Sequence, residues 1–230
     1  MPSVAEPQCL PVEWPARRII PSRFPPIALF ERILDPDEYE IAYYIESLTN
    51  DRLRDEVGDL ALVPVEERIA GPGTTPIMAA FTHVGWPSRF SDGSYGVYYA
   101  ANNSKTAIAE TAYHRARFLA ATNEPDSRIY MREYVGRVLL PMMDITAAAY
   151  AALHHPDDYA PSQAFAAKQR VQNHAGLLYN SVRHPDGLCI AAFKPCALEP
   201  VVQAGHYEYI YSASSRAIKH VLEVREISEI

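Results

Sequence analysis

The sequence has few of the patterns that mark disulfide, metal or nucleotide-phosphate sites. Its three cysteines, Cys9, Cys189 and Cys196, form no CxxC pair, so neither a disulfide framework nor a zinc site is expected. The eight histidines include no HExxH pair, and the chain contains neither GxGxxG nor GxxxxGK(S/T). We therefore expect no metal, no Rossmann nucleotide site and no P-loop.

Long apolar runs and a surplus of positive charge are also missing. No apolar run approaches the roughly 20 residues of a membrane-spanning helix, and the N-terminus carries Glu6, Glu13 and several prolines in place of a signal-peptide core. With 21 basic against 28 acidic residues, the formal net charge is -7, which argues against a surface built for phosphate backbones. We expect a cytoplasmic protein that binds neither a membrane nor nucleic acid directly.

The length of 230 residues fits one domain of mixed class with an N-terminal elaboration. Within residues 1–27, prolines stand at positions 2, 7, 11, 15, 21, 25 and 26. Proline disrupts helices and lacks the N–H that a central strand needs, so this stretch is predicted to be an extended arm without either. Residues 28–230 would form the main domain. It would begin with a strand at residues 29–34 and continue with a helical elaboration over about residues 36–76.

The middle of the chain contains one clear strand and one clear helix. Residues 96–101, GVYYAA, are aromatic and β-branched and lie between a turn and two asparagines, which predicts a buried strand with Tyr98 in the core. Ser104 suits a helix N-cap, and apolar residues follow it at helical spacing. On that helix Glu110, His114 and Arg117 share a face distinct from the apolar one. That face is the candidate site.

Strands dominate the later half of the chain. Two short helices come first, residues 145–153 capped by Asp144 and a helix from Ser162 to residue 173. Strands are predicted at residues 130–140, 188–193, 207–212 and 221–227, and in the apolar run that begins at Gly176. Helices in the middle and strands later favour an α+β fold over a doubly wound sheet.

Four short segments contain the residues whose side chains are best suited to catalysis or ligand binding. They are Ser88-Arg89-Phe90, Val97-Tyr98-Tyr99-Ala100-Ala101, Ala107-Ile108-Ala109-Glu110-Thr111 and Leu178-Tyr179-Asn180-Ser181-Val182-Arg183. Their order and spacing resemble the RES domain family, whose name records its Arg, Glu and Ser positions. Phe30-Glu31-Arg32 resembles the family's opening aromatic-arginine strand. The resemblance covers residues 28–215.

Two features depart from the family pattern. Phe90 stands where the family usually has tryptophan, and the stretch between Arg32 and Ile77 is longer than in compact members. The first departure leaves the site intact, whereas the second bears on contacts with an acceptor or a partner.

The resemblance implies a bacterial toxin of a toxin–antitoxin pair, whose antitoxin carries an Xre-type helix-turn-helix domain. It also implies a fold similar to ADP-ribosyltransferases, with a split, twisted β-sheet, flanking helices and an NAD-binding cleft. The activity implied is consumption of NAD by cleavage of the nicotinamide–ribose bond and transfer of ADP-ribose. Water, phosphate and a protein side chain all stay open as the acceptor, so NAD hydrolysis or phosphorolysis is the alternative to protein modification. A non-catalytic module that binds a nucleotide or a partner is the alternative from another class.

The residue types suit this chemistry. An arginine can hold a phosphate bidentately, which is the role expected of Arg89 and, unless it is a surface charge, of Arg32. A tyrosine face can stack on a cationic nicotinamide ring, which is the role expected of Tyr99. A carboxylate such as that of Glu110 can stabilise an oxocarbenium-like state.

Three further residues are expected to contact the substrate. Ser181 and its neighbour Asn180 are assigned hydrogen bonds to NAD. His114, one helical turn beyond Glu110, is assigned either a ligand contact or a structural hydrogen bond.

Overall fold

A computed structural model of the chain describes residues 6–22 and 58–225. The predicted strand at residues 29–34, Arg32 and the predicted boundary at residue 28 lie outside these residues, as does most of the predicted helical elaboration. The described end of that elaboration contains two short 3-10 helices, Leu60–Leu62 and Val65–Glu67.

A mixed β-sheet with helices packed against it forms the described part of the chain, which confirms the α+β prediction. In chain order its strands are β1 Cys9–Leu10, β2 Ala16–Pro21, β3 Tyr98–Ala101, β4 Ser127–Gly136, β5 Met142–Asp144, β6 Gly176–Asn180, β7 Leu188–Ala192, β8 Val202–Ser212 and β9 Ala217–Val224. Their order across the sheet is β1-β5-β6-β7-β3-β2-β4-β8-β9, and β5 and β6 form the parallel pair. The α-helices are α1 Thr75–Thr82, α2 Ser104–Ala121 and α3 Ala160–Val171, with 3-10 helices at Ala148–His154 and Pro195–Ala197.

The sheet has a weak junction between β2 and β3. These strands share one registered pair, Arg17 with Ala101, whereas β2 and β4 share six pairs and β3 and β7 share four. The sheet is continuous across this junction, which lies between a β1-β5-β6-β7-β3 part and a β2-β4-β8-β9 part. Helix α2 connects β3 to β4 and so crosses from one part to the other.

The two faces of the sheet bury separate cores because side chains alternate along each strand. Tyr98 is 1% exposed and packs in the same core as Ile77 and Met78 of α1, as the sequence predicted for Tyr98. Tyr99 points to the other face, where it packs with Ile108 of α2. Across the described residues, none of the helices has the length and apolar character needed to span a bilayer.

The expectation that prolines exclude a central strand from residues 1–27 is wrong at β2. This strand lies between β3 and β4 in the middle of the sheet. Pro15 stands just before it and Pro21 is its last residue, so Arg17 to Ile20 keep the N–H groups that the ladders need. The prolines bound the strand and do not interrupt it.

The predicted strand at residues 96–101 is confirmed over Tyr98–Ala101, and the helix after it is confirmed, but the predicted cap is wrong by one residue. Asn103 is the N-cap of α2, because its side-chain oxygen accepts from the Thr106 N–H at 2.9 Å. Ser104 is the first residue of the helix, and its hydroxyl donates to Glu133 of β4 at 2.7 Å. A side chain expected to cap the helix therefore ties it to the sheet.

The caps predicted for the two later helices are also wrong. Asp144 ends β5, and its carboxylate accepts from the Thr146 N–H in the turn that follows, before a 3-10 helix rather than an α-helix. Ser162 lies inside α3, where its hydroxyl donates to the backbone carbonyl of Arg89 at 2.6 Å. That bond anchors the segment that carries Arg89.

Ile19 tests the central position of β2. Its side chain is 5% exposed and packs in the core that includes residues of α2. We expect Ile19→Ala to lower the free energy of unfolding by about 2–5 kcal/mol, because the change removes buried apolar atoms and leaves a cavity. Urea denaturation measures the difference. Val171→Ala, at a side chain 86% exposed, is the control and should change stability by less than about 0.5 kcal/mol. An equally small change for Ile19→Ala would contradict the central strand.

Candidate functional site

A cavity of about 470 Å³ lies beside the junction between the two parts of the sheet. Its walls come from β2, β3 and α2 and from the loop before β3. Five residues singled out in the sequence line it, namely Arg89, Tyr99, Glu110, His114 and Arg117. Its volume falls within the range of small-molecule sites. The structure therefore brings these five residues to one place.

Glu110 is half-buried and is held at one of its two carboxylate oxygens. Ser181 Oγ donates to Glu110 Oε1 at 2.6 Å, and the Val182 N–H donates to the same oxygen at 3.1 Å. Both donors belong to the chain that directly follows β6. Oε2 takes part in neither hydrogen bond, so the carboxylate has a fixed orientation and one oxygen left for another partner.

Ser181 is itself fixed by the backbone around it. Its Oγ accepts from the N–H groups of Arg183 at 3.2 Å and His184 at 3.0 Å. These two bonds occupy its lone pairs and direct its proton towards Glu110. Ser181 is not among the residues that line the cavity. Its predicted hydrogen bond to a substrate stays a prediction, and the contact seen in the fold is with Glu110.

Arg89 is a buried cation, 6% exposed, in the wall of the cavity. Its Nη1 donates to the carbonyls of His155 at 2.8 Å and Leu153 at 3.5 Å, and its guanidinium carbon lies 4.6 Å from the centroid of the Tyr159 ring. None of the ion pairs found between described residues involves Arg89. A buried charge without a counter-charge is unfavourable, so this position favours an anionic ligand.

Tyr99 holds the segment that carries Arg89. Its hydroxyl accepts from the Phe90 N–H at 3.0 Å and lies 2.8 Å from Ser88 Oγ, so it contacts the residues on both sides of Arg89. Loss of contact with water raises the pKa of Tyr99 well above its usual value, and the hydroxyl stays protonated at neutral pH. The predicted stacking of its ring on a ligand stays a prediction.

The helix face predicted from the sequence is confirmed, because His114 and Arg117 line the cavity together with Glu110. His114 is exposed at its surface, yet desolvation at the cavity wall lowers its pKa, while the charge of Glu110 opposes that effect. Asn180 behaves differently, since its side-chain amide donates to the Thr146 carbonyl at 2.7 Å and the residue does not line the cavity. Its predicted contact with a substrate stays a prediction.

Two arginines that the sequence reasoning missed lie on β2. Arg17 and Arg18 both line the cavity, whereas the second arginine was sought at Arg32, outside the described residues. Arg17 Nη1 lies 3.3 Å from Glu133 Oε1, and Arg18 Nη1 donates to the Tyr99 carbonyl at 3.2 Å. One sequence feature could have identified them. The two arginines are adjacent in the short stretch Ala16–Ile20, which lies between two prolines and ends in two β-branched residues.

The cavity is positive although the protein is acidic. Its lining contains Arg17, Arg89, Arg115 and Arg117 against the carboxylates of Glu110 and Asp157, whereas the guanidinium of Arg18 lies 4.6 Å from the centroid of the Tyr98 ring, on the other face of the sheet. Clefts lined by one sign of charge concentrate ligands of the opposite sign. The arrangement can bind an anionic small molecule and present one carboxylate to it.

A family model for the RES domain matches residues 66–212 of this chain. The chain belongs to the RES domain family. The match contains Arg89, Tyr99, Glu110 and Ser181, whereas Arg17 and its neighbour on β2 precede it. An uncharacterized protein of Sinorhizobium fredii (strain NBRC 101917 / NGR234), y4oC, is 28% identical over 208 residues, which cover 90% of this chain and 86% of that protein.

A solved structure also aligns with most of this RES domain protein. It is the crystal structure of the M. tuberculosis MbcT–MbcA toxin–antitoxin complex, with 9% sequence identity and a TM-score of 0.43. The alignment covers 90% of this chain and 89% of the other.

Tyr99→Phe tests how the Arg89 segment of this RES domain is held. We expect the free energy of unfolding to fall by about 1–3 kcal/mol, because the Phe90 N–H loses its acceptor. The Phe90 amide should also exchange faster with deuterium. NMR hydrogen exchange and urea denaturation measure the two effects. Tyr130→Phe, at a residue 56% exposed, is the control. Unchanged exchange at Phe90 would show that Tyr99 does not hold this segment.

Proposed function

We propose that this RES domain protein is an NAD-consuming toxin of a toxin–antitoxin pair that acts in the cytoplasm. It would cleave the bond between nicotinamide and ribose and transfer ADP-ribose to an acceptor. The observation that carries the proposal is a pair of opposite charges on one cavity, the buried cation of Arg89 and the anchored carboxylate of Glu110. NAD needs both, since it has an anionic pyrophosphate and a glycosidic bond whose cleavage develops positive charge.

In this proposal Arg89 binds the pyrophosphate. A guanidinium offers parallel N–H donors that match phosphate oxygens, and those on Nε and Nη2 are not used by the carbonyls of Leu153 and His155. The two carbonyl contacts at Nη1 fix the guanidinium before the ligand arrives. Arg17 extends the positive lining along β2.

Glu110 would stabilise the transition state. As the glycosidic bond breaks, the ribose acquires oxocarbenium character, and a carboxylate next to it lowers the barrier. The hydrogen bonds from Ser181 and Val182 orient the carboxylate beforehand, so little reorganisation is needed during the reaction. Nicotinamide leaves as a neutral molecule, and the proposal therefore requires no general acid. The ring of Tyr99 would stack on the cationic nicotinamide before cleavage.

The junction in the sheet supports the fold part of the proposal. The family resemblance implies a fold similar to ADP-ribosyltransferases, which has a split sheet and a cleft for NAD. Here the cavity lies where β2 and β3 share one registered pair. We propose that this cavity is the NAD cleft.

The acceptor of ADP-ribose decides between three versions of the reaction. Water gives hydrolysis, phosphate gives phosphorolysis, and a protein side chain gives ADP-ribosylation. NAD labelled in its adenylate part separates the third version from the other two, because only the third leaves label on a polypeptide in a denaturing gel. Binding of NAD without release of nicotinamide would instead identify a non-catalytic binding module.

Glu110→Gln tests the role of the carboxylate. The amide keeps the shape of the side chain but removes the charge, so we expect kcat to fall by about 100-fold or more while the dissociation constant of NAD changes by less than about tenfold. Nicotinamide release measures kcat, and calorimetry measures binding. Glu124→Gln, on an exposed residue after α2, is the control and should keep wild-type activity. Equal losses of binding and turnover in Glu110→Gln would make the carboxylate a substrate clamp.

An enzyme that consumes NAD has to be inhibited in its own host. We propose that an antitoxin with an Xre-type helix-turn-helix domain inhibits it by blocking the cavity. An acidic segment of that partner would contact Arg89 in place of the pyrophosphate. The toxin's own net charge of -7 makes long-range attraction of an acidic segment weak. The contact would therefore depend on the local arginines and on apolar packing.

Arg89→Lys should weaken the binding of both NAD and the partner. Lysine keeps the positive charge but lacks the parallel N–H donors of the guanidinium. We therefore expect the affinity for NAD to fall by about 1–3 kcal/mol. Calorimetric titration of NAD into the free toxin and into the toxin–antitoxin complex measures both effects, and NAD and the antitoxin should compete. Arg216→Lys, at an exposed turn, is the matched control. Wild-type affinity for both ligands in Arg89→Lys would remove Arg89 from the site.

A further inference from the structure

His154 lies between the two segments that orient the charges of the cavity. It is the last residue of the 3-10 helix Ala148–His154 and is half-buried. Its Nδ1 lies 3.1 Å from the Tyr150 carbonyl oxygen, and its Nε2 lies 3.2 Å from the Asn180 backbone nitrogen. A carbonyl only accepts and a backbone N–H only donates, so these partners assign the proton to Nδ1 and the lone pair to Nε2. His154 is therefore a neutral imidazole of one tautomer.

The two ring nitrogens of His154 contact the two chain segments that hold the charged groups of Arg89 and Glu110. On the helix side, the carbonyls of Leu153 and His155, which flank His154, accept from Arg89 Nη1. On the strand side, Asn180 directly precedes Ser181, whose hydroxyl donates to Glu110. The His154 side chain thus links the backbone carbonyls that accept from Arg89 to the segment whose serine hydroxyl donates to Glu110.

We propose that His154 is a positioning residue that sets the distance and orientation between Arg89 and Glu110 and, in the same way, makes the site sensitive to acid. The proposal rests on the proposed function in so far as it concerns NAD. The link itself is a property of the fold and can be measured without NAD.

Protonation of His154 would break the link. A proton on Nε2 would face the Asn180 N–H, and two donors cannot form a hydrogen bond with each other. The groups that face the ring are the cationic Arg89 from the loop before β3 and the phenol of Tyr179 on β6, whose ring centroid lies 6.4 Å away. A second cation beside Arg89 would add repulsion, and the neutral phenol would not offset it.

The pH range of the effect follows from the direction of the pKa shift. Loss of water lowers the pKa of His154, the Tyr150 carbonyl opposes the shift, and Arg89 adds to it. A histidine whose pKa is lowered by folding contributes its full stabilisation above its unfolded pKa of about 6.5. That contribution is lost as the pH falls through this value towards the folded pKa. In the folded protein the imidazole stays neutral until the pH reaches this lowered pKa, so the site should lose affinity at a pH below 6.5, as the pH falls through the folded pKa of His154.

The test compares nicotinamide release by wild type, His154→Gln and His155→Gln from pH 5 to pH 8. Gln keeps one donor and one acceptor but cannot be protonated. His155 is the matched control, because it is adjacent and titratable while its Nδ1 accepts from the N–H groups of Asp157 and Asp158 and not from β6. We expect kcat/KM of the wild type and of His155→Gln to fall by up to about tenfold per pH unit on acidification. The profile of His154→Gln should be shallower than that of the wild type, because the titration that remains in the cavity is that of His114.

A second measurement keeps the inference testable if a variant folds poorly or turnover is absent. Nitrogen NMR of the wild type should find the Nδ1–H tautomer at His154, and the Asn180 amide should shift as that imidazole titrates. An Nε2–H tautomer, or a flat profile in His155→Gln together with a wild-type profile in His154→Gln, would overturn the proposal. No nicotinamide release from the wild type at any pH would count against the proposed function alone, because the NMR result does not depend on NAD.

Discussion

The two hydrogen bonds that converge on one oxygen of Glu110 are the constraint on which the cavity depends. They tie α2, the helix that crosses between the two parts of the sheet, to the chain that leaves β6 at Ser181 and Val182. Arg89 is held from the other side, because it donates to the carbonyls of Leu153, in the 3-10 helix, and of His155, just after it, and because Ser162 of α3 donates to the Arg89 carbonyl. The distance between the two charges is therefore fixed by main-chain elements and not by long, mobile side chains.

This arrangement explains how an acidic protein can provide an anion site. The net charge of -7 is spread over the whole chain, whereas the arginines of β2, α2 and the loop before β3 meet at one cavity. Their local field decides what binds there, since charges more than about 10 Å away are largely screened at physiological salt. The overall charge is compatible with a small anionic ligand at this cavity.

The sequence predicts the parts of this site whose signals are local. The strand at β3, the helix α2 and the shared face of Glu110 and His114 follow from periodicity over a few residues. The central place of β2 did not follow, because its partners β3 and β4 lie far along the chain and proline content argued against it. The cap at Asn103 was missed for a smaller reason, since Asn and Ser have similar capping preferences and stand side by side.

The most direct test of the account is a crystal structure of the Glu110→Gln variant with NAD, in which slow turnover would preserve the substrate. The account predicts pyrophosphate oxygens within hydrogen-bond distance of the Arg89 guanidinium and the nicotinamide–ribose bond facing the side chain of residue 110. NAD bound with its pyrophosphate away from Arg89, or with its glycosidic bond turned away from residue 110, would contradict the account.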